Sequence, residues 1–405
     1  MKKILFSIVL LLLVICSTGC NIDFLPPRRE IDDLHLVQVI GIDKLLDTSN
    51  NMMLTVASQK ITDEGGGQET QGKSGEGTSN PGGKALIETS VGKTIFDAAR
   101  NIQTHSDKTI FWAHTEYYLV SEEAAKENIV KYIDFFTRDH ELRIDAKIYI
   151  VKGSTAKEVI EAVNKTEFFV IDKLKSLGRN IKLLSISEEM KVSELMRFID
   201  LHHSSARVPC MELVNRERGN KKILDMDIYG YAIFKDLKLV GFIGKDISRG
   251  INLLTDKVDS SIVVVKDLSG QEVSIEITRN NTEVIPHFIG DNLTEVTIKA
   301  KVTSNLGEVH SHMKVLNENS IHYMEAQQSD ILKREMEDVL KRVLEMKSDC
   351  LEICDKIRMK SPLKWHKIEK HWLQIIPTLR FNIEVESKIE RTYDLREPSG
   401  YRGKE

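Results

Sequence analysis

The chain has 405 residues, 57 Lys and Arg against 61 Asp and Glu, a formal net charge of −4 and 41% hydrophobic residues. This balance lacks the basic footprint of a nucleic-acid-binding protein, and the length exceeds a single domain of about 100–200 residues, so two or three domains with sizeable cores are expected. Five cysteines, two of them within the first twenty residues, make no disulfide framework.

The chain opens with Lys2 and Lys3, an apolar run over 4–15, and then Ser17, Thr18, Gly19 and Cys20. A charged n-region, an apolar h-region and small residues at a cleavage site are the order of a signal peptide, here 1–19. The apolar run is too short to cross a hydrocarbon core as a helix, which takes about 20 residues. A cysteine directly after the small residues is the pattern of the bacterial lipoprotein pathway, in which Cys20 becomes the mature N-terminus and carries the lipid, a diacylglyceryl group with palmitate-type chains. Ser17 stands where Leu is more usual, and the same order also satisfies plain secretion with Cys20 incidental. Beyond Cys20 no apolar run reaches about 18 residues, so attachment is expected through the lipid alone, on the outer face of a membrane.

Residues 34–42 and 53–61 are β-branched and partly alternating, as strands are. From 64 to 83 the chain is almost entirely Gly, Ser, Thr, Gln, Asn and charges, which predicts a flexible loop leading to another strand at 85–91. Thr94 with Asp97 caps a helix bearing Ile95, Ala98, Ala99 and Ile102, and a second helix is expected from Ser121, with Glu122 and Glu123 at its positive end. A strand at 146–151 leads to a capping box, Thr155 and Glu158, and a helix through Ile160 and Val163. The polar stretch 204–222 is the best candidate for an interdomain connection, and 230–244 reads as a hairpin turning at Lys235 and Asp236.

In the last third, Val273, Ile275 and Ile277, then Val296, Ile298, Ala300 and Val302, then Leu379, Phe381, Ile383 and Val385 alternate with polar residues. Period two with one apolar face predicts antiparallel strands covered on one side. Leu332, Met336, Val339, Leu340, Val343 and Leu344 recur at helical spacing and predict the covering helix.

Several patterns imitate chemistry. Gly67, Gly72, Lys73 and Ser74 satisfy the P-loop spacing, but its physics needs a strand before and a helix after, and the Gly-rich flanks form neither. Cys350 and Cys354, spaced i, i+4 on the predicted helix, with His366 and His371 beyond, lack the spacing of a four-ligand metal site and read as small residues facing the sheet. Adjacent His202 and His203, and His310 with His312, have no third partner nearby. No catalytic triad order, paired-carboxylate motif or zinc-protease signature is present, so neither catalytic, metal nor cofactor-binding residues are assigned.

Several segments together carry a family likeness. They are Arg28-Arg29-Glu30-Ile31-Asp32-Asp33-Leu34 ending in Gly41-Ile42-Asp43, Gly92-Lys93-Thr94-Ile95-Phe96-Asp97-Ala98, and Phe111-Trp112-Ala113-His114-Thr115. The run Asp134-Phe135-Phe136-Thr137-Arg138-Asp139-His140-Glu141-Leu142-Arg143 is the most specific piece. Ala232-Ile233-Phe234-Lys235 with Leu239-Val240-Gly241, Arg249-Gly250, and the closing Trp365 and Trp372 complete the set. Together these segments resemble the GerC-type lipoproteins of endospore-forming bacteria. Two departures are a missing Trp just after Cys20, and Glu352-Ile353-Cys354-Asp355-Lys356 where the family has a Gly-Phe-Gly turn.

The resemblance implies an α+β fold of about three domains, each a mixed or antiparallel sheet packed against helices. The expected division is a signal peptide over 1–19, an N-terminal α/β domain over 20–200 with the loop 64–83, a middle domain over 201–255, and a C-terminal antiparallel sheet with a long helix over 256–395. It further implies a non-enzymatic subunit of a nutrient germinant receptor, lipid-anchored through Cys20 on the outer face of the spore inner membrane. Two polytopic receptor subunits would be its partners, with no cofactor and no nucleic acid. The rival reading is a solute-binding lipoprotein of a transporter, which would show two similar lobes around a hinged cleft.

Overall fold

A computed structural model describes residues 33–46, 51–59, 85–138, 142–165, 169–201, 205–309 and 317–392. The first sheet has eight strands: β2 (Val39–Lys44), β3 (Met52–Gln59), β4 (Ala85–Gly92), β6 (Tyr117–Ser121), β7 (Lys147–Lys152), β8 (Arg207–Arg218), β9 (Lys221–Lys235) and β10 (Lys238–Gly244). Their order is β10-β9-β8-β7-β6-β2-β3-β4. The middle four run parallel, and antiparallel pairs extend both sides. A separate parallel pair joins β1 (Leu34–Leu36) to β5 (Thr109–Phe111).

Strands β2, β6 and β7 are buried almost continuously because helices cover both faces of the sheet. On one face α1 (Ile95–Ile102), α2 (Glu122–Arg138) and α5 (Val192–Asp200) share a core with Ile40, Tyr118, Val120 and Ile150. On the other, α3 (Ala156–Asn164) and α4 (Val170–Leu184) meet Val39, Tyr117, Leu119 and Tyr149. The predicted caps at Thr94 and Thr155 are formed. Helix α2 is interrupted at Asn128, whose backbone is extended and whose Oδ1 accepts from the Val130 N–H, starting the helix again.

The second sheet orders β11 (Ser261–Lys266), β12 (Glu272–Ile289), β13 (Asn292–Val309) and β14 (Arg380–Thr392) side by side. Helix α7 (Glu318–Glu345) lies over its apolar face, burying Leu332, Met336, Val339 and Val343 as their spacing predicted. One expectation fails here: β14 runs parallel to β13, so the sheet is mixed rather than antiparallel. Alternation reports which face is buried and carries no strand direction; direction follows from the crossover through α7, which returns the chain to the end where β13 began.

The expected interdomain connection is also different. From residue 207 onward the polar stretch is strand β8, paired with β9 through a two-residue turn at Gly219 and Asn220. Its polarity comes from the distal half of this ribbon, where Arg216, Glu217 and Arg218 stand in solvent beyond the neighbouring strands. The span 201–255 builds no sheet of its own among the described residues. Strands β8–β10 continue the first sheet, while Tyr231, Ile233 and Ile243 on their other face join α6 (Arg249–Thr255) in the core of the second unit.

Helix α6 approaches α7 at Gly250, where an added Cβ would lie 2.5 Å from the Glu335 carbonyl oxygen, and Arg249 locks the contact by a paired hydrogen bond to the Glu335 carboxylate. Gly250→Ala should therefore cost about 1–3 kcal/mol in urea denaturation, because backbone must shift. Gly307→Ala, whose Cβ meets only the Ser274 oxygen at an ordinary 3.4 Å, serves as the control and should change stability far less.

Candidate functional site at the junction of the two sheets

In open sheets with parallel strands, ligands enter beyond the carboxyl ends of strands where the chain order reverses. Here that point lies between β2 and β6, because the chain leaves β2 toward β3 and β4 and returns on the other side as β6. The position is filled by the protein itself. Asp43, fully buried at the end of β2, accepts hydrogen bonds from the N–H groups of Ala156 (2.7 Å) and Lys157 (3.1 Å) at the start of α3. Burial raises the pKa of this carboxyl, and the two backbone donors pull it back. Gly41, two residues earlier, allows the close approach of α3: a Cβ there would sit 2.9 Å from Ile160 Cδ1. The positive helix end that could hold an anionic ligand is thus occupied by an internal carboxylate.

A second polar cluster joins the two sheets. Arg207, at the start of β8, is 1% exposed. Its Nη1 donates to the Cys350 carbonyl (2.8 Å) and to Glu352 Oε1 (2.8 Å), and its Nη2 donates to Glu188 Oε1 (2.7 Å). Burial opposes the charge, but the Glu188 and Glu352 carboxylates outweigh it and hold the guanidinium firmly protonated. Glu352 in turn has its pKa lowered, the guanidinium overcoming the cost of burial.

Around this charge the contacts continue. Tyr231 donates to Asn252 Oδ1 (2.5 Å), and Asn252 Nδ2 donates to the Ser185 carbonyl (2.6 Å). Ser348 donates to the Phe234 carbonyl (2.8 Å). Asp349, fully buried, accepts from the N–H groups of Ile353 (3.1 Å) and Cys354 (2.9 Å), which open α8 (Ile353–Lys360), and from Trp372 Nε1 (2.7 Å). Trp372 starts α10 (Trp372–Ile375) and meets Trp365 of α9 (Pro362–Ile368) edge-on, with ring centroids 5.2 Å apart. Beside the cluster a polar groove of about 360 Å³ is lined by charged side chains, among them the pairs Lys147 with Glu189 (2.6 Å) and Lys257 with Glu188 (3.2 Å).

Cys20, the one site residue assigned from sequence, lies outside the described residues, as do the P-loop imitation at 67–74, the loop 64–83, His202, His203, His310 and His312. Cys350 and Cys354 are buried but do not share a helix: α7 ends at Glu345, Lys347 and Glu352 take left-handed backbone, and a new helix begins at Ile353. The helical spacing was misleading because Asp349 caps a fresh helix within it. Burial pushes the Cys350 thiol up to about 12, and raises Cys210 as well. His366 pairs with Glu369 (2.9 Å) and is exposed. Among the described residues no group of three or more His, Cys, Asp or Glu side chains is placed to hold a metal. Sequence reasoning missed Arg207, Glu188, Glu352 and Asp349, since nothing local marks a charged residue as buried.

Comparison with known proteins accounts for both halves of the chain. Residues 27–213 match the spore germination protein N-terminal domain, and residues 229–393 match the spore germination B3/GerAC-like C-terminal family. The chain belongs to the GerC-type family of spore germination proteins. It is 24% identical to spore germination protein KC of Bacillus subtilis (strain 168) over 418 residues, covering 96% of each chain. It is 23% identical to spore germination protein B3 of the same organism over 373 residues, covering 89% of this chain and 92% of the relative. The crystal structure of the GerBC protein has the same fold, with a TM-score of 0.52 at 18% identity, over 86% of this chain and 96% of that one. The described segments that carry the likeness hold the frame together: Gly41 and Asp43 seat α3, Arg249 and Gly250 seat α6, and Trp365 and Trp372 complete the Asp349 cluster.

Arg207→Met should strand Glu188 and Glu352 without their cation, and a loss of about 3–5 kcal/mol in equilibrium unfolding is expected, the range for breaking one partner of a buried pair. Arg207→Lys should recover only part of it, because a single ammonium nitrogen lacks the planar two-armed fork whose separate nitrogens reach Glu188 on one side and Glu352 and the Cys350 carbonyl on the other. The thiols offer a second check. Cys210, Cys350 and Cys354 should resist alkylation in the native protein and react fully in denaturant, as read by intact mass; rapid native labelling of Cys350 would contradict the burial described above.

Proposed function

We propose that this chain is the lipid-anchored, non-catalytic third subunit of a nutrient germinant receptor. In this reading it is held through Cys20 on the outer face of the spore inner membrane, and it assembles with two polytopic subunits to trigger germination. One observation carries the proposal: both family domains match in order from residue 27, just downstream of a cysteine that ends a lipoprotein-type signal. The relatives named above are spore germination proteins, and the GerBC likeness extends over most of the chain.

The interior supports a binding rather than a chemical role. The ligand crevice of the first sheet is closed by Asp43, and the buried charges at the junction are spent on each other. Among the described residues no helix is long and apolar enough to cross a membrane. A single acyl chain binds membranes marginally, whereas the two chains of a diacylglyceryl group hold firmly, which makes Cys20 sufficient as an anchor.

Cys20→Ala should release the protein from the membrane fraction of spores and impair germination; full retention of that variant would refute the anchor. Crosslinking in spore membranes followed by mass spectrometry should recover two polytopic receptor subunits, whereas transporter components in their place would favour the solute-binding reading.

A further inference from the structure

We infer that one corner of the second unit, built by α8, α9 and the tip of the β12–β13 hairpin, is a second membrane contact that docks on an anionic phospholipid surface. The inference deepens the lipid-anchor reading and rests on it for bringing the protein to a bilayer.

The apolar surface comes first. Leu363, Ile289 and Met359 are 85%, 74% and 73% exposed, three of the four most exposed large aliphatic side chains among the described residues. All three belong to this corner: Met359 lies in the last turn of α8, Leu363 in the first turn of α9, and Ile289 ends β12 at the hairpin tip. The corner is fixed, not frayed. Trp365 and Ile368 on the inner side of α9 are buried in the core, and three lysines fasten the helices along the outer half of β12. Lys360 pairs with Glu283, Lys364 lies 4.7 Å over the Phe288 ring, and Lys367 pairs with Asp291 at 2.7 Å.

The charge comes second. Within 358–371 stand Arg358, Lys360, Lys364, Lys367 and Lys370 against one acid, Glu369, in a chain whose net charge is −4. Three of these cations are matched, Arg358 by Asp355, Lys360 by Glu283 and Lys367 by Asp291, which leaves Lys364 and Lys370 against Glu369 beside the aliphatic side chains. Aliphatic side chains flanked by lysines suit the boundary between headgroups and acyl chains, where apolar tips enter and long cationic stems reach back to phosphates. A protein partner would favour the reverse composition, with aromatic rings exposed and lysine depleted. Here the large rings face inward: Trp365 is buried and Phe288 packs on the core.

A tether alone gives such a contact a purpose. From Cys20 to Asp33 the chain can extend about 45 Å at most, which keeps the body near the bilayer without choosing the face turned toward it. A second contact fixes that choice.

The test uses the full lipidated protein on vesicles of phosphatidylcholine with phosphatidylglycerol. An environment-sensitive dye is attached at Leu363→Cys, at Ile289→Cys or, as a control on the first unit, at Leu183→Cys, the native thiols being buried. Acyl-chain-brominated lipid should quench most of the emission at 363 and 289 and blue-shift it, leave 183 unchanged, and act more weakly when phosphatidylglycerol is omitted. No quenching at 363 and 289 while the protein remains vesicle-bound would overturn the contact, as would crosslinks from these positions to a polytopic subunit instead of lipid. Flotation of Cys20→Ala reports on the anchor separately. If the lipidated chain itself fails to float, the anchor reading falls, and dye quenching with the unlipidated full chain added to the same vesicles still decides the corner.

Discussion

The arrangement of the two halves depends on one buried cation. Taking a guanidinium out of water costs several kcal/mol unless its donors are met. Arg207, whose Nε has no acceptor, offsets that cost through Nη1 and Nη2 only when three stretches distant in sequence converge: its own strand, the segment after α4 that carries Glu188, and the segment after α7 that carries Cys350 and Glu352. Apolar burial between the units is non-directional and would tolerate a slip. The forked hydrogen bonds of a guanidinium would not, so the ion cluster sets the register while the surrounding core supplies the driving force.

Strand β9 carries that junction, with a separate core on each face. Alternate residues of β9 look both ways: Ala232 and Phe234 belong to the first sheet's core, Tyr231 and Ile233 to the second unit's. A hinged solute-binding protein opens and closes by moving two lobes about a few backbone positions. Hinge motion here would have to strip β9 from one of the two cores it faces and expose Arg207, Asp349 and Asn252, all within 1% of full burial. The same economy holds inside the first unit, where the usual ligand crevice is stitched shut by Asp43. The two units thus share strand β9 and a buried polar cluster, an arrangement suited to presenting surfaces and holding a position.

What was legible in the sequence was local. The capping residues Thr94 and Thr155, the alternation of Val273, Ile275 and Ile277, and the stripe on α7 each act within one or two turns or along one strand, and each appears where the spacing placed it. What was illegible was relational. Alternation does not encode strand direction, so the parallel β13–β14 pair was missed. A polar run such as 207–218 is ambiguous between a linker and a ribbon until its partner strand is known. Arg207 gave no signal, because the acids that make its burial tolerable lie 19 and 145 residues away.

The residues that carry the family likeness sharpen the same distinction. Gly41, Asp43, Gly250 and Trp372 are placed where a helix must come close, a helix end must be capped, or a buried carboxylate needs a donor. These are demands of the frame. Two proteins can therefore share 24% of their residues over 96% of their length and still present different faces, because the frame needs few fixed positions and the surface is free to vary. Partner choice in such a molecule has to be sought among exposed side chains, such as those of the distal β8–β9 ribbon, where the fold itself requires no particular residue.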